Sequence, residues 1–262
     1  MKIFLTGASS GIGQATASLL LERGHEVWGT SRDPSRLPSS GGLHPVQLEL
    51  SDLASLTNAF EKAWNEAGHF DVLINNAGGG HFDAAEILSH EKVEELFRTL
   101  VFAHIELCRR ALVAMNGRQS GLIINITSLA SRLPVPFMAA YNAAKAAMAA
   151  YTFSLQLERR GSDVRIIDLQ PADICTNFND SISPQPAEDA RVSKAWQVVG
   201  QNMRSAPPPD LVARRIIKLI GSSNPPPRNT VGDVFQAQIA PLIFRFLPQR
   251  VRVWSLKKYY GI

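Results

Sequence analysis

Short apolar runs alternate along the chain with longer stretches whose apolar positions recur every three to four residues. The runs near 2–6, 26–31, 46–49, 71–75, 121–126, 164–169 and 230–234 read as strands, and the stretches near 11–23, 55–67, 90–116, 141–160 and 209–221 as helices. Val72-Leu73-Ile74 and Leu122-Ile123-Ile124 are continuously apolar, as expected of strands covered on both faces. Strand and helix in turn are the sequence form of parallel crossover units, so the pattern predicts an α/β fold built on a parallel sheet. No internal repeat interrupts it.

Two regions break the alternation. Residues 176–208 are too long for an ordinary connection and follow a strand end, which suits a flap over a site; the plainer reading is a surface excursion with a short helix near 188–204. The tail, residues 235–262, is apolar at first and then mixes bases with aromatics. Three uses fit it: covering a lipophilic pocket, resting on a membrane surface as a peripheral contact, or capping the core. Residues 1–262 otherwise read as a single domain.

Composition narrows the function classes. The 27 basic and 23 acidic residues leave a formal charge of +4, without the dense basic face that nucleic-acid recognition requires. The two cysteines, Cys108 and Cys175, are too few for a disulfide framework or a metal cluster, so no metal is expected and reduced thiols in a cytoplasmic protein are. Met1-Lys2 leads straight into the first strand, with no apolar targeting core.

Chemistry enters at the strand ends. Gly7, Ser9, Ser10, Gly11, Ile12 and Gly13 lie between the first strand and an amphipathic helix, where glycines let a pyrophosphate reach backbone N–H groups at the helix's positive end. After the second strand no carboxylate stands ready for a ribose 2′-hydroxyl, while Arg32 offers a donor fork to a 2′-phosphate; NADP(H) is thus favoured over NAD(H) unless Arg32 is only a solvated loop residue. Asp52 fits either an adenine contact or a helix N-cap, and Asn76, Ala77 and Gly78 suit a backbone wall beside the cofactor.

Tyr141 and Lys145 stand one helical turn apart and share a face. A free phenol near its usual pKa of about 10 is a poor base at neutral pH, and a neighbouring cation is expected to bring it nearer the working range. Ser128, thirteen residues before Tyr141 and just past a strand, is placed to donate to a substrate oxygen.

In these residues, and in Asn75-Asn76-Ala77-Gly78 and Pro171-Ala172-Asp173-Ile174-Cys175-Thr176, the sequence resembles the short-chain dehydrogenase/reductase family over nearly its whole length. The resemblance implies a Rossmann-like, doubly wound parallel sheet of about seven strands flanked by helices on both faces. It implies Tyr141 as acid and base, Ser128 orienting the carbonyl, and Lys145 also holding the nicotinamide ribose. Pro171, Ile174 and Thr176 would line the nicotinamide.

The sequence departs from the family pattern at Ala172, where the family usually has Gly, and, with more consequence, at one other position. Where the family carries an Asn that helps hold a water beside the lysine, a gapless alignment puts Leu100, which offers neither donor nor acceptor. His104, one turn on, either serves that water or packs the helix. Alanines crowd the helix after Tyr141, fitting a homodimer face or a buried face equally. The expected activity is hydride transfer between NADP(H) and a small-molecule carbonyl/alcohol pair, favouring lipophilic ketones or aldehydes such as steroid-like or retinoid compounds. A 3-oxoacyl-thioester reductase and a cofactor-binding sensor with impaired catalysis are the rivals.

Overall fold

Neighbouring residues of the first strand, β1 (Lys2–Leu5), serve opposite faces of a sheet. In a computed structural model, which describes residues 1–159, 163–178, 182 and 189–262, Ile3 and Leu5 pack with Ala17, Leu20, Ile216 and Leu219, whereas Phe4 packs with Leu56, Phe60, Leu107 and Leu155. The two sets come from different helices. Ala17 and Leu20 lie on α1 (Gly11–Leu21) and Ile216 and Leu219 on α7 (Asp210–Ile220); the second set comes from α2 (Leu53–Ala67), α4 (Ala103–Arg118) and α5 (Ala139–Glu158). A two-residue period therefore becomes two apolar layers, one on each face.

The remaining strands are β2 (Glu26–Ser31), β3 (Leu43–Gln47), β4 (Val72–Asn75), β5 (Ser120–Ile126), β6 (Asp163–Pro171) and β7 (Arg228–Val231). All pair in parallel, in the order β3-β2-β1-β4-β5-β6-β7. The predicted doubly wound, seven-stranded sheet is the one observed.

Several boundaries move for local reasons. β3 begins at Leu43, not near 46, because Trp28 stacks on His44 at 4.0 Å between centroids and fixes the register; Pro45 is tolerated because β3 is an edge strand. β7 stops at Val231, before the expected 234, since Gly232 adopts a φ of 158° and the Asp233 carboxylate accepts from Phe235 N at 2.9 Å to start a helical turn. The helix expected over 90–116 is α3 (His90–Phe97), a wide turn at Arg98–Phe102 with five-residue hydrogen bonding, and α4.

The helix foreseen near 188–204 is α6 (Ala190–Ser205), started by the Asp189 carboxylate. The rest of the proposed flap, 179–181 and 183–188, lies outside the described residues. In the tail a second wide turn (Phe235–Ile239) leads into α8 (Ala240–Phe246) and α9 (Gln249–Tyr260), helices the sequence reading did not assign. The alanines after Tyr141 divide: Ala144 and Ala149 are buried against the core, while Ala143 and Ala150 are exposed.

Candidate active site

Strand order reverses between β1 and β4, which opens a crevice at their carboxyl ends. The glycine turn lies in it, fastened to the neighbouring strand. Thr6 Oγ1 accepts from both Asn76 N and Ala77 N at 2.9 Å, and Asn76 Nδ2 donates to Thr6 O at 2.9 Å and Gly7 O at 3.2 Å. Gly7 has a φ of 69°, and a Cβ there would come within 2.9 Å of Ala77 Cα. A Cβ on Gly13 would collide with the Gly7 carbonyl oxygen. Ser10 opens α1 without a side-chain capping bond, leaving the first-turn N–H groups free of that competitor. Gly11, at a φ of 52°, faces Thr176 across the crevice, 3.4 Å from Cγ2 to a built Cβ. Backbone that admits no side chain, uncapped N–H groups and an opposing wall fit the pyrophosphate and nicotinamide halves of a dinucleotide.

The flanking positions differ in their engagement. Arg32 is exposed after β2, and among the described residues nothing engages its guanidinium; only its carbonyl accepts, from Gln47 Nε2 at 3.3 Å. Asp52 is the N-cap of α2, its Oδ1 accepting from Ala54 N at 3.0 Å and Ser55 N at 3.1 Å, which is the structural half of the expectation for this residue. Pro171 ends β6, and Ile174 is buried beyond it.

Ser128, Tyr141 and Lys145 come together at the end of β5. Ser128 Oγ accepts from Ala130 N at 3.0 Å, and the Ser128 side chain lies beside the Tyr141 phenol. Lys145 Nζ lies 5.9 Å from the Tyr141 ring centroid and donates to Ile126 O at 3.0 Å. The electrostatics correct the expectation from sequence. Although the Tyr141 ring keeps partial exposure, enclosure of the phenol raises its pKa to about 12; the neighbouring Ser128 side chain, not the charge on Lys145, is what opposes the rise. Burial likewise lowers Lys145 to about 8 against the pull of Asp168. Desolvation outweighs pairing at both groups.

The wall against Tyr141 is apolar. Phe82, Met138 and Ile182 are buried with Val192 and Ala195 of α6 and Tyr260 of α9, and Tyr141 packs on this cluster with Phe178 at 5.7 Å between centroids. These contributions from α6 and α9 are distant in sequence and have no local signal. Phe137, just before α5, is held at a φ of 62°; its carbonyl accepts from Asp83 N at 2.9 Å and its ring meets Phe82 at 6.0 Å.

Leu100 falls in the wide turn before α4, fully buried. Its Cδ2 and Lys145 Nζ lie 3.5 and 3.8 Å from a Cβ built on Gly78, so the leucine does sit beside the lysine. His104 is 2 % exposed, its ring near the Leu100 backbone; among the described residues its Nε2 has no partner. Burial, helped by the charge on Lys145, lowers its pKa from 6.5 to about 3. A depressed folded-state value means the unfolded chain binds the proton first, so this contribution to stability is complete above pH 6.5 and is lost as the pH falls towards 3. We expect the loss from this group to reach about 2 kcal/mol at pH 5. Urea melts at pH 7 and pH 5 check it: His104→Gln should lose less stability than the parent over that interval, and an equal loss in both would refute the assignment.

The family profile described as short chain dehydrogenase matches residues 1–187. The chain belongs to the short-chain dehydrogenase/reductase family. Within this family it is 32 % identical over 266 residues to a 3-ketodihydrosphingosine reductase of Bacteroides thetaiotaomicron, covering 99 % of this chain and 98 % of that one. It is 28 % identical to an NADPH-dependent 1-acyldihydroxyacetone phosphate reductase of Saccharomyces cerevisiae, over 97 % and 88 % of the two chains. A short-chain dehydrogenase from Streptomyces avermitilis has the same fold, with a TM-score of 0.82 at 24 % identity over 98 % and 96 % of the chains. This short-chain dehydrogenase/reductase is an oxidoreductase acting on carbonyl or alcohol groups.

Proposed function

We propose that this enzyme reduces the carbonyl of a long-chain, lipophilic ketone with NADPH. The observation that carries the reading is the meeting of Ser128, Tyr141 and Lys145 at the end of β5, with Lys145 Nζ 5.9 Å from the Tyr141 ring and an apolar wall against the phenol. A bound nicotinamide supplies the hydride. Tyr141 gives its proton to the carbonyl oxygen as negative charge develops there, and Ser128 orients that oxygen by donating to it. Lys145 is read as the group that holds the ribose and whose charge favours the phenolate left after the transfer.

Substrate and cofactor class draw support from the relatives. The two named above are a ketodihydrosphingosine reductase and an acyldihydroxyacetone phosphate reductase, the second named for NADPH. We read Arg32 as the 2′-phosphate partner, with Asp52 also facing the adenine and Ile174 and Thr176 beside the nicotinamide. Because a charge-assisted hydrogen bond contributes about 1.5–3 kcal/mol, Arg32→Ala should weaken NADPH binding by roughly ten- to a hundredfold and leave NADH nearly unchanged. Fluorescence titration of both nucleotides checks this; equal weakening of the two would remove the cofactor assignment.

Assembly as a homodimer is part of the same reading, since Val113 of α4 and Phe153 and Leu157 of α5 are exposed together with Ala143 and Ala150. NADPH oxidation in the presence of long-chain 3-keto lipids tests the activity. Cofactor binding without turnover across such a panel would favour the sensor that Leu100 brings to mind.

A further inference from the structure

Among the described residues, ten of the seventeen exposed large apolar side chains fall within residues 234–259. Such a concentration is a patch, not scatter. Phe235, Ile239, Leu242 and Phe246 recur at intervals of three to four residues along the second wide turn and α8, so they form one stripe; Phe246 is 75 % exposed and Leu242 60 %. On α9 the outward residues include Val253 and Trp254, the latter 62 % exposed with Lys258 Nζ 5.3 Å over its ring. The inward side is accounted for: Leu256 and Tyr260 join the cluster around Tyr141, and Arg252 donates to Leu247 O at 2.8 Å and Arg245 O at 3.1 Å, fastening the two helices together.

Charge selects the occupant. Residues 234–262 contain five Arg and Lys and no Asp or Glu. Arg245, Arg250, Lys257 and Lys258 are exposed beside the apolar stripe. A second copy docking by a two-fold would set these cations against their own equivalents. An anionic lipid surface meets both the charge and the apolar side chains, and aromatic rings such as that of Trp254 suit the boundary between headgroup and acyl chain. No helix among the described residues is long and apolar enough to cross a membrane.

We propose that α8, α9 and the turn before them form a docking surface for an anionic bilayer. Phe235, Leu242 and Phe246 enter the acyl boundary, and the four exposed cations meet lipid phosphates. α9 thus has one face on the bilayer and the other in the apolar cluster that packs on Tyr141. On the reductase reading, a lipid ketone dissolved in the membrane then reaches that cluster without crossing water. The docking itself does not depend on that reading.

Flotation of the full chain with vesicles tests it, comparing phosphatidylcholine alone with mixtures containing phosphatidylglycerol, with no substrate present. Binding to the anionic vesicles is expected, weakened by added salt. Lys257→Gln with Lys258→Gln should lower it by roughly twenty-fivefold, at about fivefold per charge near the surface. Phe246→Glu, at a side chain too exposed to support the fold, should lower it by more than tenfold with NADPH binding intact. Absence of vesicle binding, or binding indifferent to both variants, would overturn the proposal, as would self-association that Phe246→Glu abolishes without any lipid binding. A chain that docks but reduces no ketone would sink the functional reading alone.

Discussion

Replacing Tyr141 by phenylalanine is expected to lower NADPH-dependent ketone reduction by about 10²–10⁴-fold, the usual worth of a positioned proton donor. Affinity for NADPH should stay within a factor of about two, because the change removes one oxygen and leaves the ring in its contact with Phe178. The two readouts together separate chemistry from binding. The ring also packs on both the α5 and α6 clusters, so the phenylalanine preserves the wall that an alanine would breach. Initial rates at saturating NADPH and a fluorescence titration measure the pair of effects. A variant within tenfold of the parent rate would mean that another group protonates the carbonyl, whatever the nearness of Ser128 to the phenol suggests.

The second large effect is expected at Gly13. A methyl group there meets the Gly7 carbonyl and comes within 2.6 Å of Asn76 Nδ2, the donor that fastens the turn to β4. Both neighbours are held from two sides, so neither can yield cheaply. Gly13→Ala should destabilise the fold by about 1–3 kcal/mol, as overpacking does, and weaken NADPH binding by more than a hundredfold because the turn that receives the pyrophosphate is displaced. A contrast comes from Gly79, where a built Cβ meets nothing within 4 Å, so alanine there should be nearly silent in thermal melts. Equal behaviour of the two variants would show that the close packing at Gly13 does not govern the site.

Where the sequence could be read, the signal was local. The apolar runs at Val72–Ile74 and Leu122–Ile124 are strands because both faces are covered, and the four-residue step from Tyr141 to Lys145 puts both side chains on one helix face. Where it could not, the cause lay far along the chain. The register of β3 follows from Trp28 stacking on His44, and neither residue announces its partner. The two C-terminal helices were hidden because their apolar residues face outward, so the pattern did not point to a core. The pKa of Tyr141 departs from the expectation for a related reason: a spacing reveals a neighbouring charge, but the enclosure that outweighs it is assembled from α5, α6 and α9 together.

Phe137 shows how the loop before α5 is kept in place. A left-handed backbone at a bulky residue costs on the order of 1–3 kcal/mol, and glycine would relieve it at once. The phenylalanine's ring reaches Phe82 while its carbonyl is gripped by Asp83, so the same residue that strains the chain also moors it. Four positions later stands Tyr141. The phenol thus inherits its aim from a tensioned joint upstream, and a softer joint would leave the same three reactive side chains present in composition but loosely aligned.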